Sequence, residues 1–164
     1  MDSQILEELY ERYYTRVLLY ALTLCGDEEL AKDLTADAFV KAYLTLPNDP
    51  PSFLYWLMRV CKNLWLDHLR RQRRLIPLEN TPQISATDPL ETTYLSSQRN
   101  IALWSAIRTL SPMDQEIVTL YYFSKLPLPQ VATMVGRSYA ATRQRLCRLR
   151  QTLKQEMEEQ GYDF

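Results

Sequence analysis

Glycine is nearly absent, at 3 of 164 residues. That scarcity argues against Gly-built phosphate loops and against hairpin-turned sheets, because both rely on positive backbone φ. Neither GxGxxG nor GxxxxGKS/T occurs, so nucleotide binding by those loops has no support. Histidine occurs once, as His68, with no Cys or carboxylate set at ligand spacing, so no metal is expected. The three cysteines, Cys25, Cys61 and Cys147, are odd in number and widely spaced. Each lies in an apolar helical context and reads as a small buried hydrophobe rather than a disulfide or metal ligand. There is no 18-residue apolar run and no basic-then-apolar leader, so a cytoplasmic protein without membrane insertion is expected. No nucleophile–base pair stands out among the scattered acids. An enzyme, a cofactor and a small-molecule substrate are therefore not expected.

What is present is ordinary in bulk and uneven in detail. Hydrophobic residues make up 46% and charged residues 24%, the usual globular range. The net charge of −1 averages over opposed segments. Residues 1–58 hold ten acids and four bases. Residues 59–74 hold six bases (Arg59, Lys62, Arg70, Arg71, Arg73, Arg74) against Asp67 alone. Residues 137–154 hold six more (Arg137, Arg143, Arg145, Arg148, Arg150, Lys154) and no acid. Such segregation suggests more than one macromolecular partner.

The apolar spacing predicts an all-α protein. Ile5, Leu9, Tyr13, Val17, Tyr20 and Leu24 recur at steps of three and four and define one helix face. Gly26 supplies a stop, and Asp27 can cap the next helix. There Leu30, Leu34, Ala38 and Ala42, with Phe39, form the inner stripe. Pro47, Pro50 and Pro51 mark a loop, and a third helix runs over about 52–74. Residues 76–93 read as a flexible linker, with Asp88-Pro89 as a helix start. Ser111-Pro112 opens another helix in the same way. A short helix over 126–135, a turn at Gly136-Arg137 and a long helix over about 138–159 follow. The chain is thus expected to hold two small helical domains, 1–75 and 94–160, joined by that linker. A helix-turn-helix lies in the second.

Two helices carry chemistry. On the third, Trp56, Asn63, Asp67, Arg70 and Arg74 fall on one narrow arc, apart from the apolar arc of Phe53, Leu54, Leu57, Cys61, Leu64 and Trp65. An amide, a ring and guanidiniums in line suit a nucleic-acid strand: base edge, base face and phosphates. An ordinary solvated amphipathic helix fits the same pattern. On the last helix, Tyr139, Thr142, Leu146, Leu149 and Leu153 share one face. Arg137, Ala141, Gln144, Arg148 and Gln151 share the opposite one, with Arg145 at its edge. That is the division a recognition helix requires, although a charged, merely solvated helix is the alternative.

These segments, in order, resemble the extracytoplasmic function (ECF) group of bacterial sigma factors. Three stretches carry the resemblance: Asp33–Tyr43 (Asp-Leu-Thr-Ala-Asp-Ala-Phe-Val-Lys-Ala-Tyr), Phe53–Arg74, and Leu110–Tyr122 with the helix-turn-helix after it. The first resembles sigma region 2.2, the second the part that melts and reads the −10 element, the third region 4, which reads the −35 element. The resemblance implies a transcription initiation factor with core RNA polymerase (β′ clamp and β flap) and promoter DNA as partners, held inactive by an anti-sigma factor. It implies polymerase contacts at Asp33, Asp37, Phe39 and Lys41. It implies −10 contacts at Trp56, Asn63, Arg70, Arg71, Arg73 and Arg74. It implies −35 contacts at Arg137, Arg143, Gln144, Arg145 and Arg148. Ala36, Pro129-Gln130 and Ser138–Thr142 depart from the family's usual residues. A stand-alone helix-turn-helix repressor and a helical protein-binding adaptor are the competing readings of the residues alone.

Overall fold

The structure, a computed structural model, describes residues 1–75 and 97–163. The expected linker and the helix start at Asp88-Pro89 lie outside those residues. The chain divides into two compact units, Met1–Ala86 and Thr87–Phe164. No strand occurs among the described residues.

The N-terminal unit is a three-helix bundle of α1 (Ser3–Cys25), α2 (Glu28–Thr45) and α3 (Phe53–Leu75), each packed on the other two. Local signals set its ends. Asp2 accepts from the Gln4 N–H and caps α1. Gly26 closes α1 at φ 67°, donating to Leu22 O at 2.8 Å, and Asp27 caps α2 through the Leu30 N–H. Only a residue tolerant of the left-handed region fits at Gly26.

The single apolar face expected of α1 is an understatement. Val17 to Leu22 are six consecutive buried residues, because α2 and α3 cover different sides of that segment. A helix enclosed in this way needs no polar stripe there. Tyr20, Leu57 and Met58 complete the centre.

The C-terminal unit contains α4 (Gln98–Arg108), α5 (Pro112–Val118), a π-helical turn (Thr119–Phe123), α6 (Leu128–Val135) and α7 (Tyr139–Glu159). Fully buried Trp104 anchors the core, edge-on to Phe123 at 5.8 Å. Ser111 caps α5 with Pro112 in its first turn. Gln115 seals the end of α4, its Nε2 donating to Leu110 O at 2.8 Å and Arg108 O at 3.3 Å. Carbonyls left over at a helix end are thereby satisfied. Gly136, at φ 72°, ends α6, and Ser138 caps α7 by accepting from the Ala141 N–H at 3.1 Å. The short helix starts at Leu128, two residues later than expected, because Leu126 is buried ahead of it and donates to Leu120 O at 3.1 Å.

Candidate nucleic-acid interface

Three surfaces carry the expected site residues, two on the N-terminal unit and one on the C-terminal unit. On α3, Asn63, Arg70, Arg71, Arg73 and Arg74 are exposed and Trp56 is half-buried. From Trp56 to Arg74 the arc extends about 27 Å at about 1.5 Å per residue. Arg70 Nη1 is 2.7 Å from Asp67 Oδ1, so one cation of the arc is held by its neighbour. Arg59 adds an exposed cation beside the arc and lies 5.6 Å from the Tyr55 ring centroid. The inner side of α3 takes Met58 and Val60 as well as Leu57 and Cys61. Burial pushes the Cys61 thiol up to about 12, with Cys25 contributing further, so it is an inert core group. His68 stacks on Trp65, centroids 5.8 Å apart, as a packing residue. No cluster of metal-ligating side chains occurs among the described residues.

On α2, Asp33, Asp37 and Lys41 are exposed. Phe39 is not: it is 3% exposed and packs edge-on to Tyr10 at 4.9 Å. The expected contact role for Phe39 is therefore corrected to a core role. The ring is taken up by α1 and cannot reach a partner. The apolar groups that do share the outer face with Asp33, Asp37 and Lys41 are Val40 (55% exposed) and Leu44 (73%). Sequence reasoning missed them, though their spacing from Asp33 and Asp37 on the wheel contains the signal.

On α7, the core stripe is Thr142, Leu146, Leu149, Leu153 and Met157. Tyr139 does not belong to it. It is 50% exposed and shares the outward surface of α7 with Arg143, Gln144, Cys147, Arg148 and Gln151. Cys147 is likewise exposed, against the expectation that all three cysteines are buried. Its position puts it on the wheel side of Arg143 and Gln144, away from the core. Arg137, Arg143, Gln144 and Arg148 are exposed as expected.

Arg145 differs from the other cations. Its Nε and Nη2 donate to the two oxygens of buried Asp114 on α5, at 2.7 and 2.8 Å. Two of its three nitrogens are engaged by an internal carboxylate, so Arg145 serves as a structural tie between α5 and α7. Two parallel charge-assisted bonds form at once, which makes this a stronger tie than a single contact. The hydrogen bonds from Arg145 hold the Asp114 carboxyl below the usual carboxylate range. Burial opposes this, while Ser111 and the charges of Arg145 and Arg137 add to it. A carboxyl depressed in the folded state stabilises the fold above its unfolded value, about 4. That contribution is lost as pH falls through the folded value. Acid titration from pH 5 to pH 2 is expected to lower Tm more steeply in the natural chain than in Asp114→Asn, read by circular dichroism at 222 nm. Equal slopes would count against the pairing.

Comparison with known proteins decides the kinship. The family model for sigma-70 region 2 matches residues 9–75, and that for sigma-70 region 4 matches residues 100–153. The chain belongs to the sigma-70 family. Several of its relatives within that family are ECF sigma factors. The chain is 29% identical to the ECF RNA polymerase sigma factor BldN of Streptomyces coelicolor, over 85% of this chain and 55% of that protein. It is 31% identical to the ECF RNA polymerase sigma factor SigE of Mycolicibacterium smegmatis, over 90% of this chain and 60% of that protein. The chain thus spans a little over half the length of these relatives. Among solved structures, it is similar in fold to the sigma factor RpoE of Bartonella quintana, crystallised with the anti-sigma factor NepR. The TM-score is 0.58, with 17% identity, over 93% of this chain and 98% of that one. In this sigma-family chain, α2, α3 and α1 from residue 9 onward fall in the region 2 match, and the helix-turn-helix of α6 and α7 opens within the region 4 match.

Proposed function

We propose that this chain binds core RNA polymerase and directs it to promoters, reading duplex −35 DNA with α7 and melted −10 DNA with α3. The observation that carries the reading is the outward face of α7: Arg143, Gln144 and Arg148 exposed opposite an apolar stripe, with exposed Arg137 in the turn before it, in a helix-turn-helix. Residues 1–75 act as the clamp-binding and −10 unit, 76–93 as the linker and 94–160 as the −35 unit. Asp33, Asp37 and Lys41 meet the β′ clamp, with Val40 and Leu44 as apolar anchors. The −35 unit meets the β flap. Asn63 accepts an unpaired −10 base, Trp56 offers a ring for stacking, and Arg70, Arg71, Arg73 and Arg74 hold phosphates. Catalysis stays with polymerase, and this chain supplies no cofactor. An anti-sigma factor holds it inactive in the cytoplasm, in keeping with the sigma–anti-sigma pairing of the RpoE structure. No described helix is long and apolar enough to cross a membrane.

In-vitro transcription with core polymerase and a promoter library tests the reading. Discrete start sites that depend on this chain are expected, and their absence overturns it. The clamp surface has its own test. Val40→Asp combined with Leu44→Asp is expected to leave Tm within a few degrees and to weaken binding to core polymerase more than tenfold, measured by fluorescence anisotropy. Exposed positions tolerate the change, while a buried anchor at an interface does not. Phe39→Ala is expected to do the reverse, lowering stability by about 3–5 kcal/mol through a core cavity.

A further inference from the structure

We propose that Asp114 is a positioning residue for DNA reading: it sets the roll of α7 and so governs discrimination among duplex sequences, without itself touching DNA. The inference rests on the −35 reading above and adds to it a residue outside the recognition helix.

The geometry supplies the argument. Asp114 lies in the first turn of α5, where its N–H donates to the capping Ser111 Oγ at 3.4 Å. Its side chain is buried, so the carboxylate has little freedom. Arg145 reaches it from α7 with two nearly equal bonds, 2.7 and 2.8 Å. On α7 itself, Thr142, Leu146, Leu149 and Leu153 are buried, and apolar packing alone tolerates small rolls of a helix. A fork of two bonds is directional and does not. The tolerance matters at the DNA side. At a helix radius of about 5–6 Å, a roll of about 20° swings a side-chain tip about 2 Å. Hydrogen bonds to base edges hold only over a few tenths of an ångström about roughly 2.9 Å. Gln144, next to Arg145 in the chain, and Arg148, one turn on, are therefore aimed by the pair.

The same carboxylate has an opposite electrostatic effect. The positive charges of both Arg145 and Arg137 act on it. It offsets part of the cationic stretch 137–154 and weakens sequence-independent attraction to phosphate. Geometry and charge thus predict changes of opposite sign when Asp114 is neutralised.

The test uses the full chain bound to core polymerase. A duplex pool randomised over the upstream element yields a selected duplex. Affinities for it and for a scrambled duplex are then measured across a salt series. Asp114→Asn is expected to bind the scrambled duplex several-fold tighter, with a salt slope steeper by about one. Its preference for the selected duplex is expected to fall on the order of tenfold. Arg145→Lys keeps the charge and loses the fork. It is expected to lose much of the preference with the salt slope unchanged, which covers the case of poor folding in Asp114→Asn. If both duplexes tighten equally and the preference is intact, the proposal is overturned and the pair is only a charge. If both affinities fall together with Tm in both variants, it is overturned in favour of a fold contact alone. A natural chain with no preference among duplexes overturns the −35 reading first, and this proposal with it.

Discussion

Asn63→Ala is expected to slow promoter opening on the order of tenfold, and a template already unpaired at −10 is expected to restore most of that loss. The amide is exposed on α3, two helical turns from half-buried Trp56 and two from Arg70. A lost base-edge hydrogen bond costs about 1–3 kcal/mol, roughly a five- to hundredfold effect. Unpairing and flipping a base costs a few kcal/mol, and an unpaired template supplies that in advance. Arg148→Ala behaves differently. It removes an exposed guanidinium from the outward face of α7, so duplex binding at −35 falls on the order of tenfold or more. An unpaired −10 region leaves that loss in place. Kinetics of open-complex formation on paired and bubble templates make the comparison. Equal rescue of both variants would sink the division of labour between α3 and α7.

Trp104→Ala is expected to remove about 3–5 kcal/mol from the C-terminal unit. The ring is fully buried and meets Phe123 edge-on, with the Arg108 guanidinium 6.0 Å from its centroid. A unit of this size has a total stability of only about 3–10 kcal/mol, at about 0.05–0.15 kcal/mol per residue. One cavity therefore approaches the whole of it. At 37 °C the variant is expected to lose −35 duplex binding while the α2 surface still binds core polymerase. Urea unfolding followed by tryptophan-independent far-UV signal measures the change. A loss below about 1 kcal/mol would mean that the core refills the space.

Much of the fold was legible because its signals are local. Gly26 and Asp27, Ser111 and Pro112, and Gly136 with Ser138 mark helix ends through backbone needs that concern only the neighbouring residues. Phe39 shows the limit from two sides. Periodicity placed it with Leu34 and Ala38 on the inner stripe, which is where it lies. Family resemblance placed it on the polymerase surface, which its packing against Tyr10 rules out. Tyr139 and Cys147 failed for another reason. Their apolar character argued for burial, but a residue is buried only if another element covers it, and these two positions on α7 are left uncovered.

The sequence by itself determined the all-α class, the helix ends at Gly26, Asp27, Ser111 and Gly136, the helix-turn-helix and the separation of acidic from basic stretches. These follow from backbone hydrogen-bond periodicity and from formal charge, both of which are readable within a few residues. Only the tertiary structure decided which charged groups remain available. Arg145 reads like its neighbours Arg143 and Arg148, but Asp114, 31 residues earlier in the chain, claims it. It also decided that Val17 to Leu22 are enclosed on all sides and that Val40 and Leu44 replace Phe39 at the surface. Those outcomes depend on which distant residues the packing brings together, and no local pattern carries that information.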